Sequence, residues 1–113
     1  MLNKALEIFK KLGRLEGMAS DYGNLGLIYQ TRGDLDRAET MHKKSLEINE
    51  KLGRLEGMAK QYGNLGLIYQ TRGDLDKARE YWQKALALFQ KIGMSPEMAK
   101  IQGWIDRLAE EQK

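Results

Sequence analysis

Between residues 55 and 92 the apolar positions fall into two helical registers. Met58, Tyr62, Leu65 and Tyr69 are spaced by four, three and four residues, which lines them along one face of a helix. Gly73 interrupts that pattern, and Asp74 behind it carries the short acceptor side chain that opens a following helix. The next stripe, Leu75, Ala78, Trp82, Ala85 and Phe89, again steps by three or four. It runs to about Ile92, where Gly93 suits a left-handed helix end.

The same pattern stands earlier in the chain. Residues 11–50 and 51–90 are nearly one segment written twice, at an offset of 40 residues and without a gap. Gly33, Asp34 and Gly53 punctuate the first copy as Gly73, Asp74 and Gly93 punctuate the second. The period continues past both copies. Residues 1–13 match 41–53 and 81–93, so the chain opens inside the second helix of a repeat. Residues 94–113 match the start of a first helix, with Ser95 as N-cap and Pro96 in the first turn. The predicted helices are 2–12, 15–32, 35–52, 55–72, 75–92 and 96–111, and connections of two or three residues make neighbours antiparallel. A period of this length marks an array in which each unit buries its apolar face only by stacking on a neighbour. The expected fold is all-α, an α-α superhelix of two full helical hairpins (14–53 and 54–93) flanked by single helices in 1–13 and 94–113.

Composition narrows the function classes. The chain has 113 residues, 42% hydrophobic and 31% charged, enough for one domain with a modest core and too apolar for disorder. The net charge of +3 sits mainly in residues 51–90 and is interleaved with acids. It falls short of the dense basic stripe that nucleic acid or an anionic membrane favours, so neither is expected as a partner. Cysteine is absent, which excludes disulfides and thiolate chemistry. No apolar run approaches the ~18 residues of a membrane span. The first residues alternate apolar and charged, unlike a secretory signal, so a cytoplasmic location is expected.

Tyr62-x-x-Leu65-Gly66-x-x-Tyr69 followed by Ala78-x-x-x-Trp82, and Tyr22-x-x-Leu25-Gly26-x-x-Tyr29 with Ala38, resemble the tetratricopeptide repeat signature. That family usually repeats every 34 residues and ends each unit with proline; here Glu50 and Gln90 stand at those positions. The chain is similar to the longer-repeat branch, such as bacterial regulatory arrays and the kinesin light chain and Leu-Gly-Asn scaffolds. The physical reading agrees. Gly26 and Gly66 lie on the apolar face, where a side chain would hold the paired helix away, and Ala38, Ser45, Ala78 and Ala85 keep the opposing surface small.

No constellation for catalysis stands out, and no enzyme activity, cofactor or metal is expected. His42 is the single histidine, and Trp82 replaces it in the second copy, which marks a packing position. Ser20, Ser45 and Ser95 lack a nucleophile motif. Gly23-x-x-Gly26 lies in a helical pattern without the lysine and strand of a phosphate loop. Asp34 and Asp36 read as cap and first-turn acid.

Binding is the better reading. With Tyr22, Leu25 and Tyr29 toward the core, Ser20, Asn24, Leu27 and Thr31 fall on the opposite side at about 100° per residue. Their copies are Lys60, Asn64, Leu67 and Thr71. The resemblance implies that this face lines a concave groove, where asparagines at the Asn24 and Asn64 positions clamp the backbone of an extended peptide. An amide both donates and accepts, which suits that task; bonding across adjacent helices is the alternative. A carboxylate clamp fits less well, because Gly23 and Gly63 stand where lysine belongs, although Lys60 and Arg107 offer positive charge.

The ends differ. In the last helix Trp104 replaces the groove asparagine, Asp106 the packing glycine and Ala109 the tyrosine. Met98, Ile101, Trp104, Ile105 and Leu108 form one stripe, the pattern of a terminal cap, with Trp104 also placed at the groove mouth. At the other end Leu2, Leu6 and Phe9 belong to a helix that lacks its covering partner. A piece of a longer array, or a homodimer through this end, is expected. The function expected from the chain is a non-enzymatic scaffold that binds a protein or peptide in its groove; the alternative is a self-assembly module working through the N-terminal helix or hairpin exchange.

Overall fold

The structure is a computed structural model and describes residues 2–112, with side chains from residue 4 onward. Five helices follow one another: α1 (Leu2–Thr31), α2 (Leu35–Leu52), α3 (Leu55–Arg72), α4 (Leu75–Ile92) and α5 (Ser95–Glu111). Each packs on its sequence neighbours, giving the hairpins α1/α2 and α3/α4 and the closing helix α5. Gly33, Gly53, Gly73 and Gly93 all adopt positive φ, between 68° and 85°, and turn the chain. Asp34 and Asp74 accept from the backbone N–H groups of Arg37 and Lys77 at 3.2 and 3.1 Å and so open α2 and α4. Ser95 is the first residue of α5 rather than its cap: Met94 holds the cap position and Pro96 stands in the first turn, where its missing N–H costs nothing.

The two hairpins close through glycine. A Cβ on Gly26 would lie 2.6 Å from the His42 ring, and one on Gly66 would lie 2.2 Å from Nε1 of Trp82. Both rings are fully buried. Trp82 Nε1 donates to the Gly63 carbonyl at 3.1 Å, and Ser45 Oγ donates to the Ala19 carbonyl at 2.7 Å, so each second helix is fixed onto its first. The main core gathers Ala59, Tyr69, Ala78, Trp82, Ala85, Phe89, Ile101 and Leu108 between α3, α4 and α5. A second cluster of Ala38, Leu65 and Ile68 joins α2 to α3, with Leu46 packed against it.

The helix expected to end at Gly13 does not end there. Residues 2–12 and 15–32 form one continuous α1 of 30 residues, and Gly13 keeps a helical backbone. The molecule measures 62 × 32 × 18 Å with a radius of gyration of 15.8 Å, above the roughly 13 Å of a compact chain this long. The reason lies in what a fold-back would gain. α2 is held by α1 on one side and by α3 on the other. Folded back, residues 2–12 would have one neighbour, as α5 has α4; but α5 brings 17 residues that bury Ile101 and Leu108, whereas the shorter N-terminal segment would give up the helix hydrogen bonds that run through Gly13. The consequence falls on the face expected to be core. Leu65 and Ile68 are fully buried under α2, whereas their copies Leu25 and Ile28 are 41% and 47% exposed.

Two polar groups tie α2 to its neighbours. The His42 ring nitrogens lie 2.7 Å from Oε1 of Gln61 and 3.1 Å from Oε1 of Gln30. A neutral imidazole donates once and accepts once, so one of those carboxamides turns its NH2 to the ring. Burial pushes the imidazole below its ordinary 6.5, against a smaller opposite pull from Gln61. Glu39 receives hydrogen bonds from the Tyr69 hydroxyl and, at 2.8 Å, from Arg72. Burial raises its carboxyl, but the bonds from Tyr69, Arg72 and Lys43 outweigh that and hold it at about 2 rather than 4.5. In return the bond to Glu39, with burial, lifts the Tyr69 phenol to about 12.

Two predictions follow from this packing. Gly66→Ala should cost about 2–4 kcal/mol, because Trp82 has nowhere to move, while Gly13→Ala, with open space around it, should gain up to about 1 kcal/mol and raise helicity. Denaturant melts followed by circular dichroism check both; a destabilised Gly13→Ala would show that Gly13 turns the chain with positive φ. Acid should weaken the fold in two stages. His42 is depressed, so its contribution is complete above 6.5 and declines as the pH falls below that value. Glu39 contributes above 4.5 and loses its share as the pH falls toward about 2, a loss of order 3 kcal/mol. Melts on Glu39→Gln should lack the lower stage and keep the upper one.

Candidate functional site

The first helices α1, α3 and α5 share one concave side, and two adjoining clefts run along it. The first, of about 440 Å³, lies between α1 and α3. Ser20, Gly23, Asn24 and Leu27 form its α1 wall, Lys60, Gln61 and Asn64 its α3 wall, and Ser45 and Asn49 of α2 its floor. The second, of about 340 Å³, lies between α3 and α5, with Lys60 and Asn64 on one wall and Lys100, Ile101 and Trp104 on the other. Leu27, Lys60 and Asn64 border both clefts, so they form one trough across the repeats.

The trough has this shape because of what stands on its walls. Gly23 and Gly57 leave its inner wall without side chains: a Cβ on Gly57 would meet the Asn49 amide at 2.3 Å, and one on Gly23 would meet Gln61 at 3.0 Å. Asn49 is held in the floor by donating to the Ser45 carbonyl at 2.9 Å and to Ser45 Oγ at 3.3 Å. The rim is charged. Lys60 pairs with Glu56 at 3.2 Å, and Arg54 lines the same cleft. At the α5 end the Trp104 ring packs 5.3 Å from Trp82 and lies 5.2 Å beneath the Lys100 ammonium, so one face is structural and one edge opens to the trough.

Of the residues singled out from sequence, Asn24, Leu27, Lys60, Asn64 and Trp104 are brought together along this trough. Asn24 is exposed and Asn64 half-buried, so neither amide is sealed inside. Thr31 and Thr71 are not part of the walls of these two clefts. Their hydroxyls donate back to Leu27 and Leu67 carbonyls, at 2.9 and 3.0 Å. Leu67 packs against the main core cluster instead of lining the clefts. Arg72 lies away from the trough, bound to Glu39 and Asp36 of α2. At the N-terminal end Leu6 and Phe9 are exposed; the side chain of Leu2 lies outside the described residues.

Sequence reasoning missed Asn49, Gln61 and Lys100. Asn49 could have been found, since the second copy has Phe89 at its position and a polar residue in an apolar register marks a wall that meets solvent. Among the described residues no group of three or more His, Cys, Asp or Glu could hold a metal ion, and no helix is long and apolar enough to cross a membrane, the 30-residue α1 included.

Comparison with known proteins places this geometry. Two family models described as tetratricopeptide repeat match residues 1–51 and 59–91. Comparison with curated proteins finds no match. Among solved structures, the TPR domain of Arabidopsis FLU superposes with a TM-score of 0.80 at 19% identity, covering 87% of this chain and 82% of that one. BtubC (BKLC) from P. vanneervenii gives 0.64 at 23% identity, over 96% of this chain and 52% of that one. The N-terminal domain of stress-induced protein-1 from C. elegans gives 0.60 at 16%, over 74% and 67%. At these identities the likeness is one of fold. With the two family models, it shows that the chain belongs to the tetratricopeptide repeat family, whose members are typically non-catalytic scaffolds that bind proteins or peptides.

Proposed function

We propose that this chain binds an extended peptide segment of a partner protein along the trough of α1, α3 and α5. The observation that carries the reading is the first cleft, where Asn24 and Asn64 stand on facing walls, continued past Leu27, Lys60 and Asn64 into the second. In this reading the amides hold the backbone of the segment, each supplying a donor and an acceptor. Leu27 and Trp104 take an apolar side chain, with Lys60, Lys100, Glu56 and Glu97 as the charged groups around it. The trough is open and shallow and offers surface complementarity along a strand, which suits a segment better than a small substrate.

A second reading is self-association through the N-terminal helix. Its support is the exposure of apolar side chains there, 55% for Leu6 and 72% for Phe9, in a stretch of α1 whose residues 4–14 are all exposed.

The groove reading is tested by selecting binders from a displayed library of linear peptides and titrating them by fluorescence anisotropy. Asn24→Ala and Asn64→Ala should each weaken binding about tenfold, with the melting temperature held, since neither amide is core. Selected peptides that bind the double variant as tightly as the parent chain would reject the assignment.

A further inference from the structure

The segment that runs away from the fold is itself a copy of the segment that covers it elsewhere. Residues 2–12 repeat 42–52 of α2 and 82–92 of α4. In those copies the helix lies back along the next first helix. Asn49 sits against Gly57, where a Cβ would be 2.3 Å from its side chain, and Leu46 packs on the cluster that contains Leu65. Forty residues earlier the same four positions are Phe9, Gly17, Leu6 and Leu25. All four are exposed, and the space around Gly17 is empty. One helix therefore carries both a covering stripe and the uncovered face that such a stripe fits, and its continuity through Gly13 keeps them from meeting within the chain.

The geometry points to a second copy of this chain as the occupant. The inference rests on the self-association reading and specifies its form: two α1 helices pair antiparallel about a two-fold axis beside Gly13 and Arg14, each lending residues 2–12 to the other. The template is the α2–α3 interface. Transferring its pairs by one repeat sets Phe9 against the partner's Gly17 and Leu6 against the partner's Leu25. The first pair centres on residue 13 and the second between residues 15 and 16, within one turn of helix, so an axis near residue 14 brings both into reach. Such an interface is isologous and closes at two copies, because covering and covered surfaces are both used up. Phe9 takes the place that Asn49 holds against the glycine in the template. The apolar swap suits a contact formed between chains without the Ser45 bond that orients Asn49.

The chain has no cysteine, which allows a direct test. Positions 9 and 17 are about 12 Å apart along one helix, too far for a disulfide within a straight α1. The Phe9→Cys/Gly17→Cys variant, mildly oxidised, should form a covalent dimer with two interchain disulfides, read by intact mass under non-reducing conditions. Sedimentation of the unaltered chain at high micromolar concentration should give twice the 13.0 kDa chain mass. Phe9→Glu should weaken that dimer roughly a hundredfold while leaving helicity unchanged, because the two-fold places each substitution twice. A dimer in sedimentation whose cysteine variant does not cross-link would overturn the exchanged geometry and leave self-association standing. A monomer, or an intrachain disulfide formed by a folded-back hairpin, would overturn both.

Discussion

A helical hairpin of this repeat cannot bury its own apolar surface, and that constraint shapes the rest of the molecule. Within a hairpin, Gly66 lets Trp82 lie against the α3 backbone and Gly26 lets His42 lie against α1. That closes one side of the first helix only. The other side waits for the second helix of the preceding repeat. Where that helix is present, as α2 is for α3, Leu65 and Ile68 vanish from solvent. Where it is not, the identical residues Leu25 and Ile28 stay in water. Burying an aliphatic side chain is worth about 1.5–3 kcal/mol, so the difference between two identical sequences is a difference in neighbours.

The same stacking produces the trough. First helices alternate with second helices, so α1, α3 and α5 come to share one face without touching one another over most of their length. Glycine stands at positions 23, 57 and 63 along these gaps; Ser45 and Asn49 of α2 floor the first, and Phe89 of α4 lines the second. Amides, lysines and a tryptophan edge are what remains on the walls.

Much of this was legible in the residues. Spacings of three and four located α2 to α5; Asp34 and Asp74 marked the starts of α2 and α4, and Gly53, Gly73 and Gly93 the ends of α2, α3 and α4. The 40-residue period implied which faces meet, and the opposite side of the first helices gave Asn24, Leu27, Lys60, Asn64 and Trp104 as trough residues. What local reading lost was the fate of Gly13. Gly53 and Gly93 stand in nearly the same sequence and turn the chain. Gly13 does not: it stays helical inside α1, in a stretch where every residue from 4 to 14 is exposed and a turn would give up helix hydrogen bonds. Leu67 does not line the two clefts: it copies Leu27, but it packs on the main core around α3–α5, which Leu27 does not.

The account therefore stands on coverage by neighbours, and amide hydrogen exchange resolved along the chain measures coverage directly. In dilute solution, where copies are apart, protection should be greatest across α3 and α4 and least across residues 2–12, although residues 2–12, 42–52 and 82–92 carry nearly the same helical sequence. Equal protection of those three segments in the dilute monomer would contradict it, since the first would then be packed as its copies are.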